Sequence, residues 1–279
     1  YTVKATDAAG NATNASKTFT IDATAPDVGT VTTIATDTGA SGDRITSDND
    51  DTSTVWTVNV SSETGLTLSV NLAGTGDVTS KFTAADTGSG NYTLTVKSGQ
   101  TLADGVYTVT STDAAGNATA FTQTITVDST AATISSVAIT SATGAANNTL
   151  NVGDVVSVTV TFNEAVNVTG TPVVALDIGG TAKNAAYDSG TGTTALVFKY
   201  TIESSLTDAD GISIGANALA QVSGSTIKDV AANTATITHS AVSANSSYKV
   251  DTTAPAAGTI GTITNDTGAS GDRITSDND

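Results

Sequence analysis

The chain contains no cysteine and no methionine. No disulfide can staple it, no thiolate can hold a soft metal, and no thiol nucleophile is present. Basic residues are also scarce: Lys and Arg together number 10 against 27 Asp and Glu, for a formal net charge of -17. Nucleic acid and anionic membranes both require a basic surface, so neither is a partner suited to this chain; a surface of this sign collects cations. No apolar run reaches the length of a membrane span, which argues against direct membrane insertion. Aromatics amount to 6 Tyr, 5 Phe and 1 Trp, most of them at core positions of alternating segments, which leaves little for the exposed platform of a carbohydrate-binding module. His239 is the only imidazole and lies in an alternating, Thr-rich context that suits a surface or strand-edge position rather than a general base. With no phosphate loop and no supported Ser/His/Asp arrangement, the chain reads as non-enzymatic.

What is present is repetition. Asp37 to Asp50, DTGASGDRITSDND, returns letter for letter as Asp266 to Asp279. Its carboxylates cannot pack in an apolar core, so the stretch is expected to be a loop. Tyr1-Thr-Val3 with Asp7-Ala-Ala-Gly-Asn11 returns as Tyr107-Thr-Val109 with Asp113-Ala-Ala-Gly-Asn117. Asp22-Ala-Thr-Ala-Pro26 matches Asp128-Ser-Thr-Ala-Ala132 and Asp251-Thr-Thr-Ala-Pro255. These registers divide the chain into 1–21, the closing hairpin of a preceding repeat; 22–127 and 128–250, two whole domains of which the second has longer loops; and 251–279, the opening of a following repeat. The chain therefore reads as a piece of a longer one.

Within the domains, apolar residues alternate with polar ones. Trp56, Val58 and Val60 share one face, with Trp56 placed as core filling rather than as a ligand platform; Thr67–Leu72, Asn91–Val96, 106–112 and 121–127 continue the pattern. In the second domain Val156, Val158, Val160 and Phe162 form one face and Leu196, Phe198, Tyr200 and Ile202 another, while 209–222 reads as strand with loop. Turn residues recur about every ten positions and helical periodicity is absent, which predicts β-sandwiches.

Thr24-Ala-Pro26, DTGASGDRIT and DAAGN, in that order, resemble the bacterial immunoglobulin-like repeats of giant secreted adhesins of the RTX and biofilm-associated type. LNVGDVVSVTVTFNEAV, TGTPVVALDIGG, SGTGTTALVFKYTI and DADGISI, within 150–229, resemble a second repeat of the same kind. The resemblance implies an all-β chain of tandem immunoglobulin-like β-sandwich domains joined by short calcium-binding linkers. It also implies an extracellular place on the bacterial surface or in a biofilm matrix, an extender role in adhesion, and neighbouring repeats of the same chain as partners.

Strand order alone also leads to calcium. If the chain enters a seven-strand sandwich at the top, the loop after the first strand lies at the bottom, whereas the loop after the second strand and the turn before the last lie at the top. At the junction of the two domains, Asp37, Asp43 and Asp48 of the bottom loop should then meet the linker Asp128 and the top residues Glu164, Asp229 and Asn233. A second cluster is expected at Asp22, Glu63, Asp113 and Asn117. A third is expected around Asp251, where Asn147, Asn148 and Asp154 lie, with Asp208 and Asp210 as further candidates. Such oxygen sets suit a hard cation with 6 to 8 ligands, Ca2+ in preference to Mg2+, and not zinc or copper. Asp266 and Asp272, in the second copy of the acidic loop, are expected to be poorly ordered or only partly metal-bound. The plainer alternative for any one of these residues is turn chemistry. A rival role for the whole chain is self-association through strand edges into filaments or matrix.

Overall fold

The computed structural model describes residues 1–50, 54–61 and 63–259. Asp266 and Asp272 lie outside the described residues. The buried apolar side chains fall into two separate groups, one running from Val31 to Val127 and the other from Ala132 to Val250. The division coincides with Asp128, where four polar or small residues replace the alternating pattern.

The first group lies between two sheets. One has the order Thr30–Ile34, Val55–Asn59, Asn91–Val96, Phe82–Gly88, all antiparallel. The other has the order Ile45–Thr46, Ile125–Val127, Gly105–Thr112, Thr67–Leu72, Gly76–Asp77, with Ala118–Ala120 also paired to Gly105–Thr112. This is an immunoglobulin-like sandwich. Its cause is the two-residue period of the strands, which turns Trp56, Val58 and Val60 toward Leu68, Val70, Tyr107 and Val109 across the gap, all of them buried. Trp56 is fully buried, 4.9 Å from the ring of Phe82 and 5.5 Å from that of Tyr107.

Tyr107, near the start of the strand Gly105–Thr112, donates its hydroxyl to the carbonyl of Ala103 at 2.6 Å, pinning the corner that carries Asp104 at the lower end of the sandwich. The expected strand at 121–127 is broken instead into Ala118–Ala120 and Ile125–Val127. Phe121 fills the break, its ring lying where a Cβ on Gly29 would come within 2.1 Å, so apolar packing outcompetes continuous pairing there.

In the second sandwich, one sheet runs Ile134–Thr143, Val155–Thr169, Thr193–Thr201, Thr181–Ser189, Val173–Ile178, Leu219–Ala220, with Thr226–Asp229 on the far half of Val155–Thr169. A smaller sheet joins Thr149–Leu150, Lys249–Asp251 and Thr207–Asp208 at the lower end. The segment 209–222 contributes only Leu219–Ala220 and single bridges at Ser213 and Ile214. Glu164 was expected in a loop and instead lies on the continuous strand Val155–Thr169. Phe162-Asn-Glu-Ala-Val166 holds no Gly or Pro to force a turn. A register shift between Thr161 and Val166 instead lets one strand change partners, from Thr193–Thr201 to Thr226–Asp229.

Residues 1–21 hold the exposed hairpin Thr2–Thr6 with Ala12–Ser16, closed by the turn Asp7–Asn11. Among the described residues there is no α-helix, and none long and apolar enough to cross a membrane.

Because the cores are separate, a core truncation should destabilise one sandwich alone. Trp56→Ala is expected to cost the first about 3–5 kcal/mol. Differential scanning calorimetry should show one transition shifted down and the other in place.

Candidate metal centre

The site is built from a turn that occurs three times. In Asp7–Asn11, Asp113–Asn117 and Asp229–Asn233 the aspartate Oδ1 accepts from the asparagine N–H at 2.8, 2.9 and 2.9 Å. The asparagine Nδ2 donates back to the aspartate Oδ2 at 2.9 Å in each. The short Asp side chain thus replaces backbone partners inside its own turn, which fixes where its oxygens point. The same asparagine reaches the chain entering its sandwich. Asn117 Nδ2 donates to the carbonyls of Asp22 and Thr24 at 3.2 and 3.3 Å, and Asn233 Nδ2 to that of Asp128 at 2.8 Å. Both asparagines therefore clasp a linker carbonyl with their amide nitrogen.

At the second of these clasps three carboxylates converge. Asp128 from the linker, Glu164 from the long strand and Asp229 from the turn each place an oxygen within 4.8 Å of the others. Asp229 is buried, at 1% exposure, and the other two are half-buried. Burial and then the charges of Asp229 and Asp104 push the Asp128 carboxyl above its ordinary range. Burial and then Asp128, Asp229 and Asp104 do the same to Glu164. A pair of carboxylates 4.8 Å apart repels by about 1 kcal/mol in water and about 3 kcal/mol at an effective dielectric of ~20. The ion pairs Lys183–Glu203 and Lys199–Asp188 are elsewhere on the second sandwich and relieve none of this.

Asp104 is the residue the sequence reading did not single out. It comes from the first sandwich, on the corner held by Tyr107, and its carboxylate accepts from the N–H and hydroxyl of Ser129 at 2.8 and 2.7 Å and from the hydroxyl of Thr130. Burial raises its pKa, but these hydrogen bonds outweigh that and leave it lowered. A signal was present: Ala103-Asp104-Gly105 repeats Ala209-Asp210-Gly211, of which only the second copy drew attention.

The expected partners from the bottom loop are arranged differently. Asp37 and Asp43 do not belong to the three-carboxylate group. Asp37 accepts from the N–H of Gly42 at 2.5 Å with one oxygen, while the other is buried without a hydrogen bond; Asp43 accepts from the N–H of Ile45 at 2.9 Å. Asp48 accepts the hydroxyl of Thr36. The loop does reach the second sandwich, through its backbone at Gly39. There φ is +83°, and a Cβ would come within 2.1 Å of the carbonyl oxygen of Val230, inside the turn Asp229–Asn233.

The cluster at the top of the first sandwich has the same parts in a more open arrangement. Asp22, Glu63 and Asp113 line one shallow pocket, with Glu63 accepting from the N–H of Asp27 at 2.8 Å and Asp22 from that of Thr24 at 3.1 Å. The lower end of the second sandwich gathers fewer acids. Asp251 accepts from the N–H of Thr253 at 2.9 Å, and Asp154 from that of Asn151 at 2.8 Å within its own loop. Asn147 and Asn148 serve as left-handed turn residues at φ +53° and +63°. Asp208 is buried and its two oxygens accept from the N–H groups of Gly179 and Gly211 at 2.9 and 2.8 Å, so it holds two turns together; Asp210 is exposed. His239 is half-buried, accepting at Nε2 from the N–H of Ala218 at 2.8 Å, and is not part of the three-carboxylate group.

No protein-family model and no curated protein matches the chain. Among solved structures it is similar to an I-band fragment of titin, at 9% identity and a TM-score of 0.33, over 75% of this chain and 61% of that one. It is also similar to a second titin fragment, at 14% identity and 0.26, over 75% of this chain and 94% of that one. The titin domains z1z2 in complex with telethonin align at 13% identity and 0.26, over 82% of this chain and 98% of that one. This chain thus spans about three fifths of the length of the first of these.

The Gly39 contact yields a test of the docking. Gly39→Val adds a side chain where neither the backbone angle nor the Val230 carbonyl leaves room. Both sandwiches should remain folded, with calorimetric transitions unmoved. Their rotational correlation times from 15N relaxation should diverge, as two bodies that have lost a shared contact tumble more independently.

Proposed function

We propose that this chain is a non-enzymatic spacer in which a calcium ion, held at the junction by Asp128, Glu164 and Asp229, stiffens two immunoglobulin-like sandwiches into a rod. The observation that carries this reading is the placement of three carboxylates within 4.8 Å at the point where one sandwich meets the next. Ligands on opposite sides of a calcium ion at about 2.4 Å lie about 4.8 Å apart, so the spread fits. The donors are all oxygen, and the remaining positions would fall to water or backbone carbonyls. When bound, the cation supplies positive charge that turns mutual repulsion into a crosslink. The chain's residues do the rest: the turn fixes Asp229, the Asn233 amide holds the linker carbonyl, and the long strand presents Glu164.

The pocket of Asp22, Glu63 and Asp113 repeats the arrangement and suits a further ion shared with a preceding repeat. In this reading the parent is an extracellular bacterial adhesin in which such repeats hold a binding tip away from the cell, as the resemblance of the repeated motifs implies. The large acidic excess and the absence of cysteine are in keeping with a secreted chain stabilised by hard cations rather than disulfides.

Two measurements check the cation. Calcium titration calorimetry on Glu164→Gln, which keeps the shape but removes one charge, should give an affinity lower by about tenfold or more than wild type. An unchanged affinity would remove Glu164 from the site. Acidification gives the second. The pKa values of Asp128 and Glu164 are raised, so the metal-free folded junction binds more protons than the open one in the window just above the ordinary values of about 3.9 and 4.3. Metal-free docking should therefore strengthen as pH falls through that window, while calcium affinity falls because protons compete for the same oxygens.

A further inference from the structure

Asp128 belongs to the linker, whereas Glu164 and Asp229 both belong to the second sandwich. An ion on these three ties the linker to the second sandwich and does nothing, by itself, to hold the linker against the first. A rod needs both halves.

We infer that Asp104 is the positioning residue that supplies the missing half, clamping the linker to the first sandwich so that the cation's stiffness is transmitted across the junction. This inference rests on the calcium reading above. Its basis is geometric. Asp104 sits at the lower corner of the first sandwich, which the Tyr107 hydroxyl pins through the Ala103 carbonyl at 2.6 Å. Its carboxylate takes hydrogen bonds from two consecutive linker residues, three donors in all: Ser129 N–H at 2.8 Å, Ser129 Oγ at 2.7 Å and Thr130 Oγ1. Asn49 Nδ2 adds a donor to Ser129 Oγ at 3.0 Å, and Asp128 N–H donates to the Thr46 carbonyl at 2.9 Å. The linker is thus gripped immediately after the residue that faces the cation. Hydrogen bonds to an ionised acceptor are the stronger kind, and three on one carboxylate define an orientation rather than a mere attachment.

The second linker is held by a different device. Thr252 Oγ1 donates to the carbonyl of Leu206 at 2.8 Å and accepts from its N–H at 2.9 Å, a neutral pairing with backbone. Judged by pairing with the strand that leads into each linker, the place of Asp104, next to Gly105 opposite Val127, is taken in the second sandwich by the uncharged Thr207, opposite Asp251, and the exposed Asp210 of the matching triplet lies three residues further on. The charged clamp is therefore a property of the first junction and not of every linker in the chain.

The test separates a clamp from a ligand. Spin labels are placed on Thr83→Cys and Thr181→Cys, exposed positions on the two sandwiches of a chain with no other cysteine. Distance distributions and calcium titrations are then measured on the full chain for wild type, Asp104→Ala and Ser129→Ala with Thr130→Val, the last removing the side-chain donors while leaving every carboxylate in place. The clamp predicts that at saturating calcium both variants broaden the distribution at least twofold, while the donor variant changes calcium affinity less than about threefold. A narrow distribution in the donor variant together with loss of calcium binding in Asp104→Ala would make Asp104 a ligand and overturn the clamp. Narrow distributions in both would also overturn it, with the calcium reading intact. Failure of the wild-type chain to take up calcium at all would overturn the calcium reading and this inference with it.

Discussion

Asp128, Glu164 and Asp229 bring three like charges within 4.8 Å, and Asp229 is almost wholly withdrawn from water. Each sandwich has its own apolar core and needs no help from the other. The relation between them is different: in the proposed reading it depends on how this charge is neutralised. Among the described residues no lysine or arginine ion pair is formed at these carboxylates. The proposed hard cation would neutralise them at neutral pH and add geometry, because its oxygens must surround it at fixed distance. On that proposal folding and stiffness are separated, one resting on apolar burial and the other on electrostatics.

The design is economical in its parts. One five-residue turn, closed by an aspartate and an asparagine, forms the tip of the hairpin at the start of the chain and of both sandwiches. In the sandwiches its asparagine also grips the incoming linker. In the third occurrence Ala232 takes the left-handed position, φ +69°, that Gly10 and Gly116 fill in the others. A non-glycine residue there costs about 1 kcal/mol or more. The turn nevertheless keeps both hydrogen bonds, which shows how strongly the Asp and Asn side chains determine its shape.

Much of the fold could be read from the alternation of Trp56, Val58 and Val60 and of Val156, Val158, Val160 and Phe162, because period-two patterning has only one structural solution at that length. Strand order placed the turn Asp229–Asn233 beside the linker, and Asn233 does reach the carbonyl of Asp128. The parts that could not be read are local. Glu164 lies on a strand that changes partners through a register shift, an event without a turn residue to mark it. Asp37 and Asp43 bond within their own loop because short side chains find nearby N–H groups first. The loop's reach toward the second sandwich passes instead through Gly39, whose contact is backbone to backbone and leaves no trace in side-chain chemistry. Asp104 was hidden because its partners, Ser129 and Thr130, are residues of no distinctive chemistry.

Small-angle X-ray scattering of the chain with calcium and again after chelation tests the central claim most directly. The account predicts a stiff, elongated particle with the ion, and after chelation a flexible pair with a broadened distribution of intersandwich distances while circular dichroism stays constant. A scattering profile unchanged by excess chelator would contradict it.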